Sequence, residues 1–433
     1  MLKLKSFLVS IFILLVVISG CLLNNRKVPE ALTIWHWMTD REDVFKELAK
    51  RYEAKTGIKI NFELYAPSEA YSQKVRAAAQ GANLPDIFAI LGEKRDFASF
   101  VKAGFVLDLT AYMQEDSSRW EGLFYPKAIA VNSFSKDDSY GVKPGIYGVP
   151  IDIMTIQMLY NKSLFKILGL NPDNPPKDFT EILNIAEKIR AEGLQGLVSG
   201  FSEVWLIYCF AENYAFNIMG PEKILATIKG EVPYTDSDWI KVLELFKDMQ
   251  ESGLLAKGIV TMVNKTAEQL FANEKAVFAF NGSWSVNVYK AMNPKLNYAV
   301  FSPPRVSYNY PMVIRGGAGS SFVVNARSPK KEEAVNFLRW LTEDKQQVYL
   351  SEATNNLPAN KKAVGCLSGV LAGFAKGIDS AIHPNLWGER ESPSVIDAFG
   401  RGVQSIIIGK KAPKEVALEI QKIKEKELIR KHK

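Results

Sequence analysis

From Leu32 onward the chain changes repeatedly between two hydrophobic rhythms. "LTIWHW" (32–37) is apolar and β-branched at first and reads as a strand, and "REDVFKELAKRYEAKTG" (41–57) has helical spacing. Asp40 is placed to cap that helix and Gly57 to end it. "IKINFELY" alternates as the next strand, "EAYSQKVRAAAQG" as a helix, and "LPDIFAI" as a short apolar strand. Strands alternating with helices in this way predict a parallel sheet covered on both faces.

The same order resumes after a loop rich in Gly, Pro, Ser and Asp (132–150). "VPIDIMTIQMLYN" is long for one strand and long enough to pass from one lobe to another. A helix, a proline turn and a second helix capped by Thr180 follow. "TAEQLFANEKAVFAFNGSW" reads as helix, turn, strand and a glycine-led loop. "RGGAGSSFVVNARSPKKEEAVNFLRWL" predicts a glycine loop, a strand, a capping Ser328 and a helix with Ala334, Phe337, Leu338 and Leu341 on one face. The closing "APKEVALEIQKIKEKELIRKHK" predicts a charged helix in a solvated outer layer.

Composition narrows the classes. A chain of 433 residues with 47% hydrophobic content exceeds one usual core and predicts two lobes. The formal charge of +7 is spread among interspersed signs rather than gathered in a stripe, which argues against nucleic acid. Cys21, Cys209 and Cys366 form neither a disulfide framework nor a metal spacing, and three histidines are too few for a metal cage or a serine-type triad. No cofactor is expected. Lys3 and Lys5, the apolar run 7–18 and the small residues before Cys21 read as a secretory signal (1–20). Its end, "ISGC", resembles a lipobox, which makes Cys21 the expected lipid attachment and 21–30 a tether to the outer face of a membrane.

Several stretches in order carry a wider likeness: "LTIWHW", "GANLPDIFAI", "YGVPIDIMTIQMLYNKSLF", "NPPKDFTE", "LFANEKAVFAFNGSW", "GGAGSSFVVNARSPKKEEAVNFLRWL" and "NNLPANKKA". Together they resemble the extracellular solute-binding proteins of ABC importers, in the sugar-binding branch typified by maltose-binding protein. The resemblance implies an α/β fold of two lobes, each a mainly parallel sheet flanked by helices, with the ligand cleft between them. It implies an N-terminal lobe of 31–152 plus about 323–355, and a C-terminal lobe of about 157–320 plus 358–433. The crossings would lie near 153–156, 320–323 and 355–358.

Sugars present apolar C–H faces and rings of hydroxyls, so a cleft that grips them needs flat aromatic surfaces and fixed polar groups. In doubly wound lobes the ligand lies beyond the carboxyl ends of strands. Trp35, His36 and Trp37 end the first strand, with the two indoles on one side and the imidazole, read as hydrogen-bonding, on the other. Asp86, in "PDI", resembles the family's aspartate at the cleft edge; capping a turn is its alternative. Glu93 follows the same strand, and Asp152 lies at the expected first crossing, where it either meets ligand or satisfies the hinge. Trp284, in "NGSW", is where the family presents an aromatic to a pyranose ring. Trp205, at a loop-to-helix entry, is placed to form an opposing wall, with core packing as its alternative. Gly316 and Gly317 would bring backbone N–H groups to the ligand, and Trp387 lies in an irregular stretch open to the cleft. Trp340 falls in a helix and is assigned to packing.

The expected function is capture of a sugar or oligosaccharide by lobe closure and its delivery to an ABC importer permease, by a monomer that makes or breaks no bond. Three alternatives stay open at this point. They are an anchored carbohydrate-active hydrolase, a binder of a cationic solute such as a polyamine, and a surface module serving a sensor.

Overall fold

Leu32, Ile34 and His36 are buried and Thr33 and Trp35 half-buried, the alternation expected of a strand with unlike faces. In the computed structural model, which describes residues 31–90, 94–118, 120–136, 140–367, 369–382 and 387–431, this is β1 (Leu32–His36). It pairs in parallel with β2 (Ile60–Leu64) and β3 (Ile87–Ile90). Helix Glu42–Thr56 connects β1 to β2. It buries Phe45, Leu48, Ala49 and Tyr52 at helical spacing and stops where Gly57 turns left-handed, its N–H bonded to Glu53 O at 2.7 Å. Asp40 does not cap this helix, because a short 3-10 turn over Thr39–Arg41 intervenes and sends its carboxylate elsewhere.

A small antiparallel pair, β4 (Ser133–Phe134) and β5 (Gly145–Ile146), precedes the longest strand, β6 (Val149–Asn161). Beyond it come β7 (Gln195–Val198), β8 (Ala276–Gly282), β9 (Tyr298–Phe301), β10 (Arg315–Val324) and β11 (Leu357–Pro358). The main sheet runs β2-β1-β3-β10-β6-β8-β7, with β9 and β11 also on β6. Parallel pairing belongs to β2-β1-β3 and to β7-β8. The strands between these groups run antiparallel.

Alternation along β6 feeds two cores. Ile156, Met158 and Tyr160 join Trp239, Trp387 and Phe399, while Leu159 faces the other layer with Val198, Phe271 and Ala279. The sheet is thus covered on both faces.

Four further expectations need correction. Helix Lys331–Leu341 opens behind Lys330, so Ser328 lies ahead of its cap rather than at it. "RGGAGS" is strand from Arg315 onward rather than loop. Helix Phe179–Ala191 opens behind Asp178, so Thr180 is inside it rather than at its cap. The last helix, Pro413–Lys431, is more than a solvated layer: Val416, Ala417 and Ile420 are buried, and Lys424 donates to both Glu391 carboxylate oxygens at 2.9 and 2.7 Å. No helix among the described residues is long and apolar enough to cross a membrane.

Candidate functional site

Strand direction decides where a ligand can sit. β3 runs against β10, so its last residue, Ile90, lies opposite Ser321; β8 runs against β6, so its last strand residue, Gly282, lies opposite Ile156. The carboxyl ends of β1 and β3 therefore face those of β7 and β8. Between them lie residues 152–156 of β6, paired with 315–320 of β10. Ser321 pairs with Pro150, so six steps of about 3.3 Å, from Pro150 to Ile156, put the facing ends about 20 Å apart along the strand. This is where the loops after β1, β2, β7 and β8 converge.

On the first wall, Trp35 and Trp37 are half-buried and lean on the aromatic rings of the next loop and helix. The Trp35 and Tyr65 ring centroids are 5.2 Å apart, and those of Trp37 and Tyr71 5.4 Å. His36 points the opposite way, fully buried edge-on to Phe45 at 5.1 Å and Phe62 at 5.7 Å. Neither of its ring nitrogens meets a hydrogen-bond partner among the described residues, which corrects the reading of a hydrogen-bonding histidine. Burial pushes the imidazole down to about 4, against the opposing pull of Glu42.

The floor is polar and closed. Arg41, 8% exposed, reaches from the loop after β1 to the Asp152 carboxylate and to Ser320 Oγ at 2.8 Å. Asp152, 3% exposed, also accepts from Ser320 N at 2.7 Å and Ser320 Oγ at 2.9 Å. Asn356 Nδ2 donates to Asp40 at 3.0 Å. Burial opposes the Arg41 charge, but Asp152 and Asp40 outweigh it and hold the guanidinium charged. Burial pushes the Asp152 carboxyl up. One cluster so joins the β1 loop to β6, β10 and the residues before β11. Gly319 is obligatory beside it, because a Cβ there would lie 2.4 Å from Asp152 Oδ1.

On the opposite wall the rings of Trp205 and Trp284 lie 6.0 Å apart at 51°. Trp205 Nε1 donates to Glu203 at 2.9 Å, and the other oxygen of Glu203 accepts from Asn264 N at 2.7 Å. The Trp284 ring lies over Gly282, where a Cβ would come within 2.0 Å of it. Arg315 pairs with Glu389 and lies 3.7 Å from Glu212, with the Tyr208 ring 5.4 Å from its guanidinium. Burial raises the Glu212 carboxyl to about 7, with Arg315 pulling it down. Among the described residues no group of three His, Cys, Asp or Glu side chains is set to hold a metal ion.

The profile of a family described as bacterial extracellular solute-binding protein matches residues 47–367. The chain belongs to that family. A putative binding protein of Brucella abortus is 26% identical to it over 89% of this chain and 90% of its own length. The multiple sugar-binding protein of Streptococcus mutans is 23% identical over 76% of this chain and 75% of its own. The solved structure of a chitin oligosaccharide binding protein superposes with a TM-score of 0.73 at 22% identity, covering 93% of this chain and 100% of that one. The fold is that of the two-lobed solute-binding proteins.

Within this solute-binding protein the expected site residues separate into groups. Trp35, Trp37, Trp205 and Trp284 come to the facing strand ends. Asp152 is there too, but its oxygens are occupied by Arg41 and Ser320. Asp86 is elsewhere: it precedes β3 at the amino end, where it accepts from Thr33 N at 3.0 Å and Ser328 Oγ at 2.6 Å. Trp387 is core rather than cleft, fully buried with its Nε1 donating to Tyr234 Oη at 2.7 Å and its ring 5.0 Å from Trp239. Gly316 and Gly317 sit inside the β10–β6 ladder opposite Thr155 and Met154, so their backbone is committed to the sheet. Trp340 packs against Tyr52, as a helical position should. Glu93 and Cys21 lie outside the described residues. Arg41, Tyr65 and Arg315 were not singled out from sequence. A basic residue four positions after Trp37, in "TDRED", was the available sign for Arg41.

Proposed function

We propose that this protein captures a carbohydrate outside the cytoplasmic membrane by closing two lobes over it, and passes the sugar to the permease of an ABC importer. The observation that carries the reading is the presence of indoles on both facing walls, Trp37 on one and Trp205 with Trp284 on the other. Such surfaces stack on the C–H faces of pyranose rings, and only the closed form lets one sugar touch both. The names of two relatives, a multiple sugar-binding protein and a chitin oligosaccharide binding protein, point to the same ligand class. The lobes are 31–152 with about 323–355, and about 157–320 with 358–433, hinged near 153–156, 320–323 and 355–358. The protein acts as a monomer held at the membrane's outer face through acylated Cys21, and it performs no reaction on its guest.

The test is a thermal-shift screen of mono- and oligosaccharides with analysis of the sugars afterwards. An oligosaccharide that raises the melting temperature and is recovered intact is the expected result, since ligand that binds only the folded state stabilises it by RT ln(1 + [L]/Kd). New reducing ends in the recovered sugar would show a hydrolase instead.

A further inference from the structure

We infer that Lys74 is a specificity-determining residue that keeps organic cations out of an aromatic corner of the first wall; the inference rests on the capture reading above. Trp35 is the penultimate residue of β1, and Tyr65 follows β2 directly, its N–H bonded to His36 O at 2.9 Å. Their rings meet at 67° with centroids 5.2 Å apart, forming a corner of two π-faces beside the cleft. Tyr65 Oη donates to Glu63 at 2.5 Å, which adds a carboxylate to the rim and pushes the phenol up to about 12, so the ring stays neutral. Two aromatic faces with an acid beside them are the constellation that holds alkylammonium ions.

The protein fills that corner itself. Lys74 Nζ lies 4.4 Å from the Trp35 ring centroid and 4.0 Å from that of Tyr65, well inside the ~6 Å reach of a cation–π contact. Its helix, Ser68–Gln80, is fixed one turn earlier by Tyr71, whose Oη donates to Trp35 O at 3.1 Å and Ala89 O at 2.7 Å. Lys74 is three residues on and therefore shares that face. An ammonium tethered in this way competes at an effective concentration of order millimolar or above, and its charge repels a second cation. A sugar carries no charge and meets no such penalty. A cationic solute such as a polyamine, the ligand an indole wall with nearby acids would otherwise suit, is excluded by a residue already in its place.

The experiment compares the wild-type protein with Lys74→Ala, Lys74→Ser and Lys74→Arg, each verified as folded by its circular-dichroism melt. Choline and its neutral carbon analogue 3,3-dimethylbutan-1-ol are the probes, followed by tryptophan fluorescence and calorimetry. Choline should bind Lys74→Ala and Lys74→Ser at least about tenfold tighter than it binds wild type or Lys74→Arg, within the range cation–π contacts supply. The neutral analogue should gain nothing, and Trp35→Leu added to Lys74→Ala should remove the gain. Equal choline affinity with and without Lys74, or an equal gain for the neutral analogue, overturns the inference. A wild-type protein that responds to no sugar in the thermal screen overturns the capture reading instead and leaves the choline comparison intact.

Discussion

His36 offers the sharpest quantitative test of how the first wall is built. It is wholly buried between Phe45 and Phe62 with neither nitrogen partnered among the described residues, and burial lowers its pKa from 6.5 to about 4. A histidine whose folded pKa is depressed is protonated first in the unfolded chain. The stability it permits is therefore complete above pH 6.5 and lost as the pH falls through 6.5 toward 4. At 1.36 kcal/mol per unit, the loss is about 2 kcal/mol by pH 5 and about 3 kcal/mol by pH 4. The His36→Leu variant keeps an apolar group of similar size and removes the titration, so the other acid-sensitive groups cancel between the two proteins. Urea unfolding at pH 7, 5 and 4 should show this variant at least as stable as wild type at neutral pH, since two unpartnered buried polar atoms are removed. Its advantage should widen by about 2 kcal/mol at pH 5. Parallel pH profiles, or a clear loss of stability at pH 7, would refute the reasoning and return the imidazole to a hydrogen-bonding role.

Asp152→Ala leaves the buried Arg41 guanidinium with only the longer 3.5 Å contact to Asp40 and should cost about 3 kcal/mol in denaturant unfolding, while Arg41→Met with Asp152→Leu should recover most of it. The two tryptophans misassigned to one group by sequence should behave oppositely. Trp284→Ala should weaken binding of the sugar found in the thermal screen about three- to tenfold with little change in the unliganded melt. Trp387→Ala should cost about 3–5 kcal/mol of stability, read in the same unfolding assay.

Much of the scaffold was legible from local rhythm. The strand read at "VPIDIMTIQMLYN" is β6 residue for residue, and Gly57 ends its helix as expected, because both depend on neighbours in sequence. The failures have tertiary causes. "RGGAGS" looked like a loop because of its glycines, yet they are there for close approach: a Cβ on Gly316 would lie 3.0 Å from Thr155 Cγ2 inside the ladder. Trp387 seemed exposed because its stretch lacks helical periodicity, whereas the core it fills comes from Tyr234 and Trp239, far earlier in the chain, together with Phe399 of the next helix. Arg41 went unnoticed because its partners at 152 and 320 become neighbours only after two strands cross. Trp284 was reached through its "NGSW" turn and the family likeness, and Trp205 through a loop-to-helix entry; both follow the ends of β7 and β8 that border the gap.

The paired run at 152–156 and 315–320 also shows how the opening can be gauged. Its register slips by one residue on β10 between Ala318 and Ser320 and by one on β6 between Ser320 and Ser321, and the two slips offset each other. A lone inserted residue is thus absorbed as a bulge, whereas two added to each strand lengthen the run by about 7 Å and keep every side chain on its own face.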